Sequence, residues 1–332
     1  MANRNHVIDI AKGLGIFLVV FGHVIHIAWV REYIWNFHMP LFFFISGFLF
    51  KEGEAFSSHL KKRVKSILIP YVIFFIVTYG YWFFLERHVR GGEYSPMHQL
   101  LGLPFGTYEG KHLNFNGALW FLPCLFSTDM LFYLITRTCV FHKLKTIISL
   151  LFFFAIGTFC LRNEIVYLPF GLHTAFFALT FYGIGYLSKN NIESFCEIKN
   201  SSYIMLLLAI SILIIQVQCL GVYSGKINSA DLTYVILGLI GIMFVFAISV
   251  IIKKSIIIEY LGFNSLVILG FQEQIYRIVI KCFSIISGFP VEFLRSNMLV
   301  AFCISVITIL FIVPIVYLWN RWCKVYINKV LN

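Results

Sequence analysis

The chain is 332 residues long, 60% hydrophobic and only 12% charged, with a mean hydropathy of +0.86 and a formal net charge of +11. Soluble domains carry roughly a quarter charged residues, so the composition excludes a water-soluble enzyme. The apolar runs have the length a tilted helix needs to cross the hydrocarbon core, about 17 to 25 residues, and none shows the alternating pattern of an outer-membrane barrel. An all-α integral membrane protein is expected.

Ten spans are predicted, near residues 8–29, 37–50, 66–85, 116–136, 146–162, 171–188, 202–220, 231–252, 256–281 and 297–320. The first, IDIAKGLGIFLVVFGHVIHI, carries Asp9, Lys12, His23 and His26 near one face. A lysine within its apolar region and the lack of a small-residue cleavage site argue against a signal peptide. Lys12 and His23 are separated by ten residues, which places them roughly 20° apart in azimuth and about 16 Å apart along the axis. Lys12 either snorkels from an interfacial pair with Asp9 or begins a polar track. His23, expected near mid-membrane, is either a general base with a suitable pKa or a helix-to-helix hydrogen bond.

The second span opens at His38-Met39-Pro40-Leu41, where Pro40 suits a helix start. It also contains Ser46-Gly47, read either as a substrate contact or as a point of close helix packing. Before the third span lies KKRVKSILIPY, whose Lys62, Arg63 and Lys65 serve either anionic lipid or a phosphate at a helix N-terminus. The loop over 86–115, rich in Gly, His, Tyr and Pro, has the length of a lid or binding loop. The fourth span carries Asn116, Trp120 and Asp129; Trp120 suits an interfacial belt, and Asp129 lies deep enough to require a partner. In the ninth, Glu273 and Arg277 are spaced for an ion pair. His173 and Gln216 read as helix contacts.

The distribution of basic residues fixes an expected orientation. Arg4, Lys51, Lys61, Lys62, Arg63, Lys65, Arg137, Lys143, Lys145, Lys189, Lys199, Lys253, Lys254, Arg321, Lys324 and Lys329 fall on one side. The fewer Arg31, Arg87, Arg90, Lys111, Arg162, Lys226 and Arg295 fall on the other. Both termini are therefore expected in the cytoplasm. This bias accounts for the net charge without a nucleic-acid partner. The cysteines form no CxxC pair and read as small buried hydrophobes; no metal is expected. Without a soluble segment, a linker or a repeat, the chain reads as one membrane domain over residues 1–332.

The segments IDIAKGLGIFLVVFGH, HMPLFFFISGFLF, KKRVKSILIPY, ALWFLPCLF, FYGIGYL and YLGFNSLVILGF, in this order over residues 8–271, resemble the acyltransferase-3 family of bacterial membrane O-acyltransferases. The nearest branch is that of fucose 4-O-acetylase-like and surface-glycan O-acetyltransferases. The family signature, a basic residue followed after ten residues by histidine, falls on Lys12 and His23. The resemblance implies a ten-helix bundle in the bacterial cytoplasmic membrane. It implies transfer of an acyl group, usually acetyl, from cytoplasmic acyl-CoA to a hydroxyl of a cell-surface or lipid-linked sugar. Many relatives carry a fused extracytoplasmic domain, and this chain is expected to act without one. Lysine replaces the commoner arginine at position 12, and Gln272 stands where relatives often carry histidine.

On this reading acetyl-CoA docks near Lys12, Lys62, Arg63 and Lys65, and His23 activates the acceptor hydroxyl or relays the acyl group. Asp9, Asp129 or Glu273 orients the imidazole. The acceptor enters from the outer side, with His38, Ser46, Asn116, Trp120 and Arg277 as candidate contacts. The alternative from a different class is a transporter or flippase for a lipid-linked sugar, whose spans would also carry ionisable residues. A structural subunit of a glycan export complex is the third reading.

Overall fold

The computed structural model describes residues 5–90, 94–107, 112–138, 143–163, 168–189, 201–219 and 232–323, with Val325 and Ile327. Arg4, Lys111, Lys199, Lys226, Lys324 and Lys329, which share in the expected orientation, lie outside these residues, as do Cys139, Cys196 and the side chain of Gln216. Every regular element among the described residues is helical. The main helices are α1 (His6–Val24), α2 (Ala28–Phe48), α3 (Phe56–Val89), two short loop helices α4 (Pro96–Leu100) and α5 (Gly102–Phe105), α6 (Gly117–Arg137), α7 (Lys143–Asn163) and α8 (Pro169–Leu187). They continue as α9 (Ser201–Cys219), α10 (Leu232–Ile252), α11 (Ile256–Phe263), α12 (Ser265–Ser287), α13 (Val291–Ser296) and α14 (Met298–Cys323).

Seven of these helices are long and apolar enough to cross a membrane, or eight if α11 and α12, bent by 85° at Asn264, make one broken span. Ten were expected from the sequence. The two that fall short are α2, whose first half carries Arg31, Glu32, Asn36 and His38, and α9, apolar over Leu206–Ile215. The burial pattern is inverted as lipid requires. Phe84, Ile286 and Leu299 are exposed, whereas Gln99, Asn116, Asp129 and Gln272 are buried. Cys124 is buried, but Cys282 and Cys303 lie on outward helix surfaces, correcting the expectation of uniformly buried thiols. In lipid an outward thiol loses nothing by not being packed.

Contacts divide the chain into one unit of residues 1–49 and 181–313 and another of residues 50–180 and 314–332. In the first, the Asn5 side chain caps α1 by accepting from the N–H groups of Val7 and Ile8, as an N-terminal Asn should. α1 then packs backbone-to-backbone on α11. A Cβ on Gly13 would lie 2.0 Å from the Ile258 carbonyl oxygen, and one on Gly262 would lie 2.0 Å from that of Asp9. Only glycine allows this approach. His6 Nδ1 lies 3.0 Å from Glu259 Oε2, while Glu259 Oε1 accepts from the Ser255 N–H, so one carboxylate caps α11 and ties it to α1.

Two expectations about the start of the chain are corrected here. α1 stops at Val24 rather than near residue 29, and Ile25 turns extended. His23 therefore sits in the last turn of a helix rather than mid-span, and His26 lies beyond that helix, exposed. α2 starts at Ala28, well before His38, and Pro40 is interior to it. A proline within a membrane helix is tolerated where neighbouring elements pack around the relieved carbonyl; here a side chain on Gly238 of α10 would meet the Asn36 carbonyl, the one Pro40 leaves without a donor. Gly47 packs against the Tyr182 backbone, and Gly185 packs against that of Phe44.

In the second unit α3 contains two π turns, Val64–Leu68 and Trp82–Glu86. The first precedes Pro70, whose missing N–H and ring disturb the Ser66 carbonyl. The widened turn absorbs that disturbance, with the Ile69 N–H reaching back to Val64. Tyr71 of α3 donates to the carbonyls of Gly102 and Leu103, anchoring the loop between α3 and α6.

Candidate functional site

The end of α1 gathers most of the predicted residues of the first unit. Phe21, Val24, Ile34, Tyr276, Val279, Leu294 and Ile304 form an apolar cluster around it. Within this packing the His23 ring is only partly buried. It stacks on Tyr276 at 6.5 Å between centroids and lies 6.2 Å from Trp35. Arg277 and Arg295 lie within coulombic range of it, as does His38. Among the described residues, no side chain hydrogen-bonds its ring nitrogens, so the imidazole is held by aromatic faces and left open for an external partner.

Arg295 builds this corner, and the sequence reading missed it. Its Nη2 donates to the His23 carbonyl at 2.6 Å and its Nε to that of Val24 at 2.9 Å. The His26 N–H returns a bond to the Arg295 carbonyl at 2.8 Å. A cation at a helix C-terminus satisfies orphan carbonyls and complements the dipole, so a residue of α13 ends α1 and fixes where His23 points. Burial lowers the Arg295 pKa, and the cations Arg31 and Arg277 add to that.

None of the three carboxylates expected to orient His23 bonds to its ring. Asp9 lies at the opposite end of α1, about 21 Å away by helical rise. Glu273 pairs with Arg277 one turn along α12. Asp129 is held by His59 and Arg63 in the second unit. Lys12 is partly buried, with Asp9 within coulombic range. His38 is buried, and its Nδ1 lies 2.9 Å from the Ile34 carbonyl. That oxygen can only accept, so Nδ1 carries the proton and Nε2 the lone pair. Ser46 spends its proton on the Phe42 carbonyl within α2, which with the contact at Gly47 favours a packing role. Gln272 and Asn36 are fully buried, and neither end of either amide has a described partner. Burying such groups costs about 1–3 kcal/mol each unless something fills the gap.

In the second unit the basic run is already engaged. Arg63 donates through Nε to Asp129 Oδ1 at 2.8 Å, and its Nη2 lies 2.6 Å from Oδ2. Lys62 pairs with Glu54 at 2.8 Å, and its hydrogen bond holds the Glu54 carboxyl below the usual range. Lys65 lies beside Lys61 on the first π turn. His59, missed because it sits in a polar stretch that reads as exposed, is buried between Asp129 (2.6 Å from Nε2) and Glu54 (3.5 Å from Nδ1). Its ring stacks on Tyr133 at 4.6 Å. Asn116 is buried, with Nδ2 3.4 Å from Thr78 Oγ1, and the half-buried Trp120 meets Phe121 edge-on. In the loop between α3 and α6 the His112 and His98 ring centroids lie 4.2 Å apart.

The family model described as an acyltransferase domain (Acyl_transf_3) matches residues 5–317. The chain belongs to the acyltransferase-3 family. Its matched interval contains every candidate residue from Asp9 to Arg277, together with His59 and Arg295. The chain is thus a multi-pass membrane acyltransferase. It is also similar to the nodulation protein NolL of Mesorhizobium japonicum (strain LMG 29417 / CECT 9101 / MAFF 303099), 27% identical over 148 residues, which are 40% of this chain and 36% of that protein. The chain therefore spans about a third of the length of that curated relative. No solved structure matches it.

Proposed function

We propose that this acyltransferase-3 protein moves an acyl group, acetyl in the simplest case, from acyl-CoA to a hydroxyl of a cell-surface or lipid-linked sugar, with His23 as general base. The observation that carries this reading is an imidazole whose ring nitrogens are open, set between Trp35 and Tyr276 on the stripe that also bears Lys12. His23 removes the proton from the acceptor hydroxyl as its oxygen attacks the thioester carbonyl. The C–S bond then breaks, and the coenzyme thiolate takes up that proton from the imidazolium. Direct attack by the imidazole, forming an acyl-histidine that the sugar then discharges, is the other balanced route.

Lys12 faces the coenzyme as a point charge, without the bidentate fork an arginine would offer. The basic run is bonded within its own unit, Arg63 to Asp129 and Lys62 to Glu54. His38 and Arg277 remain contacts for the acceptor. The membrane is the bacterial cytoplasmic one, with both termini inside and the acyl-CoA arriving from that side. Purified protein assayed for acyl transfer tests the role of His23. His23→Ala is expected to lower kcat by about 100-fold to 10,000-fold, and full retained activity would remove the mechanism.

A further inference from the structure

Three arginines converge on the His23 corner from separate elements: Arg31 from the start of α2, Arg277 from α12 and Arg295 from α13. Each acts electrostatically on Arg295 or is Arg295 itself, and Arg31 also acts on His26. Glu273 neutralises Arg277, and Glu292 lies within coulombic range of His26. Arg31 and Arg295 form no ion pair with a described residue. Arg31 rests 5.2 Å over Trp35, and Arg295 rests 5.8 Å over Tyr276, the two rings that flank His23. The Arg31 Nε is buried and has no hydrogen-bond partner among the described residues.

This placement opposes local stability. A cation in the first turn of a 21-residue helix faces the positive end of its dipole. A buried donor without a partner costs free energy, and crowding guanidiniums adds to it. Arg295 has a structural role in capping α1, but Arg31 has none. Excess positive charge of this kind is relieved by an anion that brings its own oxygens.

We infer that the acceptor is an anionic saccharide, bearing a phosphate or carboxylate that Arg31 and Arg295 hold while His23 addresses a nearby hydroxyl. The inference rests on the acyl-transfer reading above and adds to it the charge class of the acceptor. The anion's position at the C-terminal end of α1, about 16 Å from Lys12 by helical rise, assigns it to the acceptor rather than to the coenzyme.

The test supplies purified protein with radiolabelled acetyl-CoA and the glycans and lipid-linked sugars extracted from cells lacking the protein, separated by anion exchange into charged and neutral pools. Label is expected in the charged pool at about tenfold or more over the neutral one. Arg31→Gln should lower labelling of that pool about tenfold or more without raising the KM for acetyl-CoA, and Arg31→Lys should recover part of it. Label in the neutral pool would overturn the inference. So would a raised KM for acetyl-CoA in Arg31→Gln, which would assign the anion to the coenzyme. Label in neither pool would overturn the acyl-transfer reading itself, a different result from label in the wrong pool.

Discussion

Asp129 is 1% exposed, and its two oxygens take His59 and Arg63. A buried carboxylate costs several kcal/mol to desolvate and is tolerated because these partners surround it. Arg63→Ala should therefore destabilise the protein by about 3–5 kcal/mol, with Asp129→Asn in the same chain recovering part of the loss. Lys62→Ala should change stability by about 1 kcal/mol or less, since its pair with Glu54 is on the surface. Thermal unfolding in detergent measures all three, and equal losses for Arg63→Ala and Lys62→Ala would contradict the assignment. In the loop between α3 and α6, burial lowers the His112 pKa from its ordinary value, although its bond to the His98 carbonyl opposes this. Below about pH 6.5 the released loop takes a proton that the docked loop resists. Docking is thus strongest above that value and weakens as the pH falls. Limited proteolysis of the loop should be faster at pH 5.5 than at pH 7.5, and His112→Gln should shrink the difference.

At the scale of elements, the sequence placed helices correctly wherever apolar length and periodicity dominate, as in α7, α10 and α14. It misjudged α1 and α2, because HVIHIAWV is as apolar as a helix interior and nothing local stops α1. The stop comes from Arg295, 271 positions away in sequence from Val24. Helix contacts without a hydrophobic driving force rely on close approach, and the α1–α11 contact depends on Gly13 and Gly262. Gly13→Ala should cost about 1–3 kcal/mol, because its methyl meets backbone rather than a movable side chain. Gly80→Ala, in a helix position with nothing within 4 Å, should instead gain roughly 0.5–1 kcal/mol. A loss at Gly80 as large as at Gly13 would argue against close packing as the reason.

For the whole molecule, each unit carries its own polar centre: the first has the His23 corner, the second the Asp129 cluster. The first has the imidazole on which the proposed acyl transfer rests; in the second, His59 and Arg63 engage the Asp129 carboxylate. Arg295→Gln should lower kcat for acyl transfer by about tenfold or more while leaving the KM for acyl-CoA near its original value. The reason is that it loosens the end of α1 on which His23 sits. Arg295→Lys should restore little, since one ammonium cannot serve both carbonyls as the guanidinium fork does. A raised KM with unchanged kcat would place Arg295 at the coenzyme instead.

The sequence by itself determined the membrane class and the helical architecture, because both depend on composition and on apolar length along the chain. It also determined the family, through motifs kept in order along the chain. Only the tertiary structure decided that His23 ends its helix, that aromatic rings rather than a carboxylate hold it, and that Arg63 is already paired with Asp129. These depend on contacts between separate elements, 66 positions apart for Arg63 and Asp129 and 272 for His23 and Arg295. Charge and hydrogen bonding act over a few ångströms whatever the separation in sequence, so no local pattern could have marked them.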